Sequence, residues 1–533
     1  MYKAELKNGN IEFSLHFHES HLAKACGARW KPSSRVWVAK ATRLTASAVM
    51  HNFELKDIDP AIIELAGNES IEVPALDIDL DSTLKQITLR PRQKQGIEKA
   101  WPHPGFALFW WAGSGKTIST IALFNARKVA GLVDKLLIVC PTSIKGVWSL
   151  EIDRYSGIPH TVQVFESGSV LKDVDVLVVG VEALSQGGAA EQAAKFVGDG
   201  RVMVVVDESS RIKNHSAGRT EKCWELGEAA QFRLILTGTP VTQGPIDLFA
   251  QFRFLDPNII GELSYYSFRN RFAILGGFEN RKIVGYRNLE VLMDRIRPFS
   301  DTSGKNEITG LPPRSFQVRK VKASPLQHRL CKELVREMST QLGDKEIVAQ
   351  NALEIILRLQ QIAGGFDPDG NPVSSSNPKL NEVMDVLREF GGKAIIWARF
   401  IPEIKAIRDE IEKEWPNSTI TMFGEVKSED RQGLVNGFQS NPAKRFFIVN
   451  QQTGSMGLTL TAATLAVYYS NTYSYEERVQ SMDRLHRIGQ EEPVMYVDVL
   501  SDLKVDGLVM AAIENKSSMA SYVGNSLTAK DLA

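Results

Sequence analysis

Short apolar runs bounded by turn residues, with helix-like stretches between them, are the feature that most constrains the fold of this chain. From about residue 85, five such runs follow one another: FALFW, KLLIVC, VDVLVVG, RVMVVVD and FRLILTG. Runs this short and uniformly apolar are typical of strands buried on both faces, which occur in parallel sheets covered by helices. We therefore expect repeated β–α–β units.

The pattern pauses between about residues 246 and 380, where longer helical patterns dominate, and resumes with KAIIWAR, STITMF, RFFIVN, LAVYYS and VMYVDVL. Two parallel α/β blocks with a helical insert predict two lobes, and 533 residues are enough for several domains. The predicted segments are a small basic α/β module over 1–57, an acidic linker over 58–84, lobe 1 with a helical insertion near its end over 85–300, a helical connector over 301–380, lobe 2 over 381–514 and a tail over 515–533.

Charge is unevenly distributed, although 63 basic and 63 acidic residues give a formal net charge of zero. Residues 20–53 contain six basic residues and no acidic one, whereas residues 54–81 contain nine acidic residues and one lysine. This predicts a basic module followed by an acidic linker. The alternative is that both stretches are ordinary solvated surface.

Membrane and disulfide classes are not indicated. No stretch approaches the roughly 20 apolar residues that cross a bilayer, and MYKAELKNGNIEF has no apolar signal-peptide region. Four scattered cysteines without CxxC spacing predict reduced thiols: Cys26, Cys140, Cys223 and Cys331. We expect no membrane partner.

A phosphate-binding loop is predicted where WWAGSGKT follows FALFW and precedes the helix-like TISTIALFNARKVA. Glycines let backbone N–H groups close on phosphates, and a helix N-terminus adds favourable partial charge. Lys116 would reach the β- and γ-phosphates of ATP, and Thr117 would ligate Mg²⁺. Trp110 stands where the general pattern GxxxxGK[ST] has its first glycine. The predicted ATP-binding residues of the loop are Gly113, Ser114, Gly115, Lys116 and Thr117.

A pair of carboxylates completes the predicted ATPase site. Asp207 and Glu208 follow the apolar run VVV, about 90 residues after the loop and within the same α/β block. Asp207 would hold Mg²⁺, directly or through water, and Glu208 would orient and polarise the attacking water. Phosphoryl transfer needs mainly positioning and charge stabilisation, so a metal, a lysine and a water-orienting carboxylate form a coherent set.

These motifs resemble those of the Swi/Snf group of superfamily 2 helicase-like ATPases, in the family's order, from about Leu89 to Lys516. The matching segments are LRPRQ (89–93), DESSRIKN (207–214), LTGTP (236–240), KAIIW (393–397), TGSMGLTL (453–460) and QSMDRLHRIGQ (480–490). The resemblance implies two RecA-like lobes with helical insertions and places Gln93 at the edge of the adenine. Ser210 stands where the family has a histidine that links this box to the next motif.

The arginines of QSMDRLHRIGQ lie three residues apart, and on a helix they would project to nearly one side. Arginine keeps its charge, and its planar fork matches phosphate oxygens. From lobe 2, Arg487 would stabilise transition-state charge on the nucleotide as the main finger, with Arg484 beside it. Gln480 would sense the γ-phosphate. The alternative is a helix of surface salt bridges.

Contacts to a nucleic-acid backbone are expected in loops that offer hydroxyls, amides and lysine, because phosphate contacts position a protein without specifying sequence. Thr142 and Lys145 follow KLLIVC, where the family has such a motif, and Thr453 and Ser455 lie in the corresponding motif of lobe 2. Plain loop chemistry is the alternative at each position. The resemblance, not the residues, points to duplex DNA.

The N-terminal segment GARWKPSSRVW (27–37) resembles the HARP modules of annealing helicases, where a basic-aromatic hairpin helps to recognise forked DNA. Stacking aromatics beside cations suit an exposed single strand or junction. The predicted contacts are Arg29, Trp30, Arg35 and Trp37. The alternative is that both tryptophans are core residues of a small domain.

The expected function is an ATP-driven, double-stranded DNA translocase that remodels forked or branched DNA by fork regression, annealing or branch migration. We expect it to act as a monomer on DNA, in the cytoplasm of a bacterial or phage-infected cell, or in the nucleus if eukaryotic. Two alternatives remain: a strand-separating DNA or RNA helicase, and a non-motor, ATP-gated DNA-binding switch.

Overall fold

The computed structural model describes residues 3–66, 72–111, 113–185, 188–242, 244–276, 282–304, 311–342, 349–424, 426, 428–451, 458–487 and 489–514. Its internal contacts divide the chain into two compact units, Met1–Trp111 with Gly115–Glu307, and Ala112–Ser114 with Ile308–Ala533. The predicted tail over 515–533 lies outside the described residues.

An antiparallel sheet in the order β1–β2–β4–β3 forms the N-terminal module, with three helices packed on it. The elements are β1 (Lys3–Lys7), β2 (Asn10–Ser14), α1 (Ser20–Ala25), β3 (Arg29–Lys31), β4 (Val36–Lys40), α2 (Arg43–Asn52) and α3 (Pro60–Ala66). Phe13, Val49 and Ile62 are fully buried in its core. Because α3 supplies Ile62, the module extends to residue 66, and the predicted boundary at residue 57 is too early.

The acidic segment after the module is not a free linker. Alternate residues face the core of the first unit, with Leu80 and Leu84 buried in it and Leu76 and Ile78 packed against it. The carbonyl of Pro74 accepts a hydrogen bond from the Trp101 indole at 2.7 Å. Asp77 and Asp79, between these positions, are exposed. Apolar and acidic residues therefore alternate with a period of two, a pattern that the count of acidic residues does not show.

Seven parallel strands form the sheet of the first unit, in the order β13–β5–β10–β9–β6–β8–β7. The strands are β5 (Gly105–Trp110), β6 (Lys135–Cys140), β7 (Val162–Val164), β8 (Val176–Gly180), β9 (Val202–Asp207), β10 (Phe232–Leu236) and β13 (Ser300–Ser303). Helix α4 (Pro91–Ala100) precedes β5, and the helices between the strands are α5 (Lys116–Val129), α6 (Lys145–Tyr155), α7 (Ala189–Gly198) and α8 (Gly218–Ala229).

Successive residues of these strands pack into two different cores. In β5, Ala107 and Phe109 join one core, and Phe106 and Leu108 join the other. A strand covered on both faces needs apolar residues at every position, which is why the runs are continuous rather than alternating.

The insertion near the end of the first unit contains α9 (Leu248–Leu255), α10 (Pro257–Ile260), α11 (Tyr265–Phe272), β11 (Ala273–Gly276), β12 (Lys282–Tyr286) and α12 (Leu289–Ile296). It was predicted to be helical, yet β11 and β12 form an antiparallel hairpin. The insertion also fixes the N-terminal module, because Leu263 packs in the module core and its N–H donates to Ala25 O at 2.8 Å. Asn258 Nδ2 donates to Ser47 Oγ at 2.8 Å.

Six parallel strands form the sheet of the second unit, in the order β14–β19–β18–β15–β17–β16. They are β14 (Arg314–Val321), β15 (Ala394–Trp397), β16 (Thr419–Met422), β17 (Phe446–Val449), β18 (Leu465–Tyr468) and β19 (Val494–Ser501). The helices are α13 (Pro325–Leu342), α14 (Ala349–Ala363), α15 (Pro378–Glu389), α16 (Ile401–Glu414), α17 (Ser428–Ser440), α18 (Tyr475–Met482) and α19 (Lys504–Glu514).

The segment predicted as a helical connector over 301–380 differs at its start. Most of β13 falls in this range, and the strand completes the first sheet. Strand β14 also falls in this range and is an edge strand of the second sheet. Both strands lie at sheet edges, and β14 is mostly exposed, so neither has the uniformly apolar signature of a central strand.

The fold class is confirmed: two RecA-like parallel-sheet lobes with helical insertions follow a small N-terminal α/β module. Among the described residues, no helix is long and apolar enough to span a membrane.

Candidate functional site

The predicted phosphate-binding loop lies between β5 and α5 of the first sheet. Gly115 is the N-cap residue of α5 with φ +89°, and Gly113 has φ +76°. These left-handed conformations favour glycine, and they turn the chain so that α5 begins at Lys116. The N-terminus of this helix therefore stands at the carboxyl end of β5, and the first backbone amides of a helix attract anions. Ala112 lies outside the described residues.

Lys116 lies over the end of the strand. Its Nζ donates to Trp110 O at 2.8 Å. Thr117 is half-buried and Ser114 is buried, so the loop side chains line the corner instead of extending into solvent. The corner thus combines one ammonium, one hydroxyl and helix-terminal amides, which is the donor set that a polyphosphate needs.

Gln93 packs against this loop. Its Oε1 accepts the Arg90 N–H at 2.8 Å, which directs Nε2 towards Gly115. A Cβ atom at Gly115 would lie 2.0 Å from Gln93 Nε2, so the close approach requires glycine. The role of Gln93 at the adenine edge stays a prediction.

The Trp110 side chain explains why tryptophan replaces the first loop glycine. Its ring fills a notch at Gly96, where a Cβ atom would lie 2.0 Å from the ring. Its Nε1 donates to the buried carboxylate of Asp301 at 2.7 Å. Asp301 is also bound by Arg92 at 2.6 Å and Lys99 at 2.8 Å. The indole therefore anchors the start of the loop.

Asp207 ends β9 and is held by two donors. Trp148 Nε1 donates to Oδ2 at 2.9 Å, and the Glu208 N–H donates to Oδ1 at 2.9 Å. Burial, and then the neighbouring Glu208 carboxylate, raise the pKa of Asp207 to about 6, while Lys116 and Trp148 act in the opposite direction. Sequence reasoning missed Trp148, which lies 59 residues before Asp207.

These residues fit the Mg²⁺ that the sequence analysis predicts. Carboxylate and hydroxyl oxygens are its preferred protein ligands, and Asp207 and Thr117 provide one of each. A buried carboxylate with a raised pKa gains most from a nearby cation, because the cation offsets the lost hydration of the charged form. When bound, Mg²⁺ would neutralise phosphate charge at this corner.

Glu208 has a left-handed backbone, with φ +52° and ψ +56°. This conformation is uncommon for a residue with a side chain and is found where the surroundings over-determine it. Thr237 Oγ1, from the LTGTP segment, lies 3.5 Å from Glu208 Oε2. The carboxylate predicted to orient water is therefore in contact with the segment after β10.

In the second unit, Arg484 and Arg487 do not lie on a helix, so that part of the prediction is wrong. Helix α18 ends at Met482, and the chain continues in tight turns in which Arg484 N–H donates to Ser481 O at 3.3 Å. A hydrophobic pattern does not reveal this end, because Leu485 remains fully buried beyond it.

Both arginines lie near one carbonyl group. Arg484 NH1 donates to Leu458 O at 3.4 Å, and Arg487 NH1 donates to the same oxygen at 3.3 Å. Arg484 is buried and Arg487 is half-buried. Gln480, on α18, donates through Nε2 to Glu476 Oε1 at 3.3 Å.

A buried ion pair that the sequence analysis missed supports this segment. Arg478 of α18 binds Asp498 of β19 with both arms of its guanidinium, at 2.7 and 2.8 Å. The ring centre of Tyr468 lies 3.3 Å from the guanidinium carbon. A bidentate pair fixes orientation as well as distance. The available signal was an aspartate inside the apolar run VMYVDVL.

The residues predicted to touch a nucleic-acid backbone have different surroundings. The N–H and Oγ1 of exposed Thr142 both donate to Glu182 Oε2, at 3.0 and 2.9 Å. Lys145 is buried, and its Nζ donates to Phe165 O at 2.6 Å and to Glu166 at 2.9 Å. The ammonium does not face solvent, so Lys145 does not support the expected contact.

Two predicted contacts, Thr453 and Ser455, lie outside the described residues. At the N-terminal module, Trp30 and Trp37 are direct cross-strand partners in the β3–β4 hairpin, with ring centres 5.6 Å apart. Trp37 packs partly against the module core, whereas Trp30 is 47% exposed. The core alternative is therefore wrong for Trp30.

Basic side chains surround this pair. Arg29 and Arg35 are exposed, and Lys24 Nζ lies 5.1 Å from the ring centre of Trp37. The hairpin thus presents an aromatic surface flanked by cations.

Comparison with known families gives two matches. The SNF2-related domain matches residues 103–365, and the helicase conserved C-terminal domain matches residues 378–489. These ranges contain the phosphate loop, both carboxylates and both arginines.

Curated relatives match at low identity. The chain is 23% identical to TATA-binding protein-associated factor MOT1 of Saccharomyces cerevisiae, over 78% of this chain and 26% of that protein. It is 24% identical to the SWI/SNF-related matrix-associated actin-dependent regulator of chromatin subfamily A-like protein 1 homolog of Caenorhabditis elegans, over 96% and 74%. It is 28% identical to DNA annealing helicase and endonuclease ZRANB3 of Mus musculus, over 81% and 40%.

The chain thus spans about a quarter of the yeast relative and less than half of the mouse relative. Among solved structures, the Sulfolobus solfataricus SWI2/SNF2 ATPase core in complex with dsDNA is similar, with a TM-score of 0.40 and 24% identity, over 84% of this chain and 97% of that chain.

Proposed function

This chain is a Swi/Snf-type helicase-like ATPase, and we propose that it translocates on double-stranded DNA and remodels forked or branched DNA by annealing or branch migration. The ATPase activity belongs to the family. The duplex substrate and the fork are the proposed parts.

The nucleotide chemistry is supported by the corner of the first sheet. Lys116 and the amides at the start of α5 would bind the phosphates of ATP, and Thr117 and Asp207 would hold Mg²⁺. Glu208 would polarise the attacking water, in contact with Thr237 at 3.5 Å. This arrangement supplies positioning and charge, which phosphoryl transfer mainly needs.

The arginines of the second unit complete the proposed cycle. Arg487, with Arg484 beside it, would stabilise the charge that develops on the transferred phosphoryl group. Gln480 would sense the γ-phosphate. Because these residues belong to another lobe than Glu208, hydrolysis would require lobe closure, and each cycle would move one lobe along the DNA.

The branched-DNA part rests on one observation, the exposed Trp30 on a basic hairpin that is fixed to the first unit. An exposed tryptophan beside cations suits stacking with an unpaired base. The match to the C. elegans relative covers 96% of this chain, and therefore includes most of the module. The mouse relative is named as a DNA annealing helicase.

Binding to the DNA backbone is proposed with fewer residues than the sequence analysis predicted, because Lys145 is buried. Thr142, Thr453 and Ser455 are the proposed phosphate contacts, and binding should weaken with salt because counterions are released. We propose that the protein acts as a monomer on DNA. The expected bacterial or phage-infected cytoplasm stays a prediction.

ATP hydrolysis should be measured without nucleic acid and with duplex DNA, single-stranded DNA, forked DNA or structured RNA, beside Lys116→Ala. We expect stimulation by duplex DNA, more with forks, and none in Lys116→Ala. Stimulation only by single strands or RNA would instead indicate a strand-separating helicase. No stimulated turnover with any of them would leave the ATP-gated binding switch.

A separate variant tests the proposed preference for forked DNA over plain duplex DNA. Trp30→Ala should remove the excess stimulation by forks over plain duplex and leave duplex-stimulated turnover intact. Tyr266→Ala is the matched control, because Tyr266 is another exposed aromatic residue of the first unit, with 62% exposure. Equal loss in both variants would contradict a role specific to the hairpin.

A further inference from the structure

A polar pair is buried directly beside Glu208. Ser209, the next residue in the chain, and Gln251 of α9 are both fully buried. Ser209 Oγ donates to Gln251 Oε1 at 2.7 Å. Gln251 Nε2 donates to Pro240 O at 2.7 Å and to Asp247 O at 2.9 Å. The pair therefore joins the residue after the water-orienting carboxylate to the end of the LTGTP segment.

These bonds close a ring of contacts. Thr237, at the start of the segment 237–240, contacts the Glu208 carboxylate at 3.5 Å, and Pro240, at its end, accepts from Gln251. Ser209 then connects Gln251 back to Glu208 through the chain. Both ends of the segment are thereby fixed relative to Glu208, whose backbone is in the left-handed conformation.

Packing alone does not require this pair. The residues three or four positions from Gln251 on α9, which share its side of the helix, include Leu248, Phe254 and Leu255, and these belong to a large apolar core. A leucine would suit such surroundings, and a buried amide left unpaired destabilises the folded state. A fully bonded buried network instead selects one arrangement of its parts.

The segment also reaches the surface. It continues into Val241, which is 43% exposed, and Thr242, whose N–H and Oγ1 donate to Asp247 Oδ2 at 2.8 and 2.9 Å. Lys213 donates to Thr242 Oγ1. A ligand bound at Val241 or Thr242 would therefore shift the segment 237–240. That segment is connected to Glu208 by the contact of Thr237 and by the hydrogen bonds of Gln251 and Ser209.

We propose that Ser209 and Gln251 are positioning residues for Glu208 and that nucleic acid stimulates hydrolysis through them. Through Gln251, the hydroxyl–amide bond links Pro240, at the end of the segment 237–240, to Ser209, the residue next to Glu208. The link to duplex DNA rests on the proposed function, whereas the link to ATP turnover does not.

The test compares Ser209→Ala, Gln251→Leu and the double variant Ser209→Ala/Gln251→Leu. For each, kcat and KM for ATP are measured with and without nucleic acid, together with thermal unfolding. Either single change leaves a buried polar partner unpaired and should lower stability. The double variant removes the unpaired hydroxyl or amide oxygen, but it still leaves Pro240 O and Asp247 O without the Gln251 donor, so it should recover only part of the stability.

We expect stimulated kcat to fall about tenfold in Ser209→Ala and to stay low in the double variant, with KM for ATP changed less than twofold, because the phosphate loop is untouched. A double variant that regains stability and wild-type stimulated kcat would overturn the proposal. It would show that the pair only packs.

Thr220→Val is the matched control. Thr220 is a fully buried hydroxyl residue that donates to Ile212 O at 3.3 Å, at the other end of the short helical segment Ser209–Ile212, and it makes no bond to Gln251. It should lose stability but keep stimulated turnover. An equal loss of kcat would mean that any weakening of this segment suffices, and it would also overturn the proposal.

The nucleic acid for these assays is whichever one stimulates the wild type. If only single strands or RNA stimulate, the proposed duplex function fails and the pair is still tested. If duplex DNA stimulates the wild type and the double variant to the same kcat, the pair proposal fails and the duplex function stands.

Discussion

Two strand–loop–helix corners of the first sheet have similar residue types, but their donor groups have different hydrogen-bond partners. At the corner of β5 and α5, Lys116 and the helix-terminal amides stand at the end of a strand, where Lys116 Nζ donates to the carbonyls of Trp110 at 2.8 Å and Trp111 at 3.4 Å. At the corner of β6 and α6, carboxylates occupy the donors, since Thr142 binds Glu182 and Lys145 binds Glu166.

The difference teaches that a hydroxyl, an amide and a lysine at a helix start do not define a phosphate site. Their neighbours decide whether the donors are offered to a ligand or used within the protein. A phosphate approaching Thr142 has to compete with Glu182, while Lys145 holds the Phe165 carbonyl inside the fold. The two corners are joined, because Trp148 of α6 donates to Asp207.

The largest expected effect concerns Glu208, which follows β9 of the same sheet. Glu208→Gln should lower kcat for ATP by about 10²–10⁴-fold, because a positioned carboxylate that polarises water contributes that much. ATP binding should persist, since Lys116 and the loop amides are unchanged. Steady-state hydrolysis and nucleotide-binding assays on the same protein check this. Loss of ATP binding would contradict the assigned role.

The second effect is a pH dependence at Asp207. Its folded pKa of about 6 lies above the ordinary 3.8, so the folded protein holds this proton more tightly than the unfolded chain. The folded state is therefore favoured as pH falls through 6, and the ionised carboxylate costs stability above 6. Wild type should gain about 1–3 kcal/mol over Asp207→Asn between pH 7 and pH 4.

Denaturant unfolding of both proteins across that pH range measures the difference. A difference that does not change with pH would show that Asp207 titrates normally, and it would remove the argument that this corner stores an electrostatic cost that a cation relieves.

At the second corner, Lys145→Met should lower the free energy of unfolding by about 1–3 kcal/mol, because the buried Phe165 carbonyl loses its donor. Affinity for DNA should hardly change. Thermal unfolding and the dependence of DNA affinity on salt test this. A salt slope reduced by about one would instead make Lys145 a phosphate contact and break the comparison.

The smallest expected effect is on DNA affinity, and it comes from another substitution of glutamate by glutamine. Glu182→Gln removes one negative charge beside Thr142 and should tighten DNA binding by about twofold to fivefold, as expected for one exposed charge. Fluorescence anisotropy with duplex DNA measures it. Weaker binding would mean that Glu182 holds Thr142 in place for DNA instead of competing with it.

Central strands and the phosphate loop were predictable because their signals are local. FALFW and KLLIVC correspond to β5 and β6 within one residue, since a strand buried on both faces is apolar throughout. Gly113, Gly115 and Lys116 lie together because they are neighbours in sequence.

The missed parts depend on residues that are far apart or on the ends of elements. Trp110 and Asp301 are separated by 191 residues, and nothing in the local pattern pairs them. The burial of Lys145 depends on a carbonyl 20 residues away. The end of α18 at Met482 was hidden because the apolar pattern continues past it. The number of acidic residues led to the prediction of a linker over residues 72–84, although apolar side chains that alternate with the acidic ones pack against the core of the first unit.

The attachment of the N-terminal module to the insertion, through Leu263 and Asn258, has a kinematic consequence. A hairpin fastened to the same body as the phosphate loop cannot lag behind that body. Any strand stacked on Trp30 would be displaced by the same vector as the lobe in each ATP cycle. Under the proposed function, the junction between paired and unpaired DNA would therefore move together with the lobe.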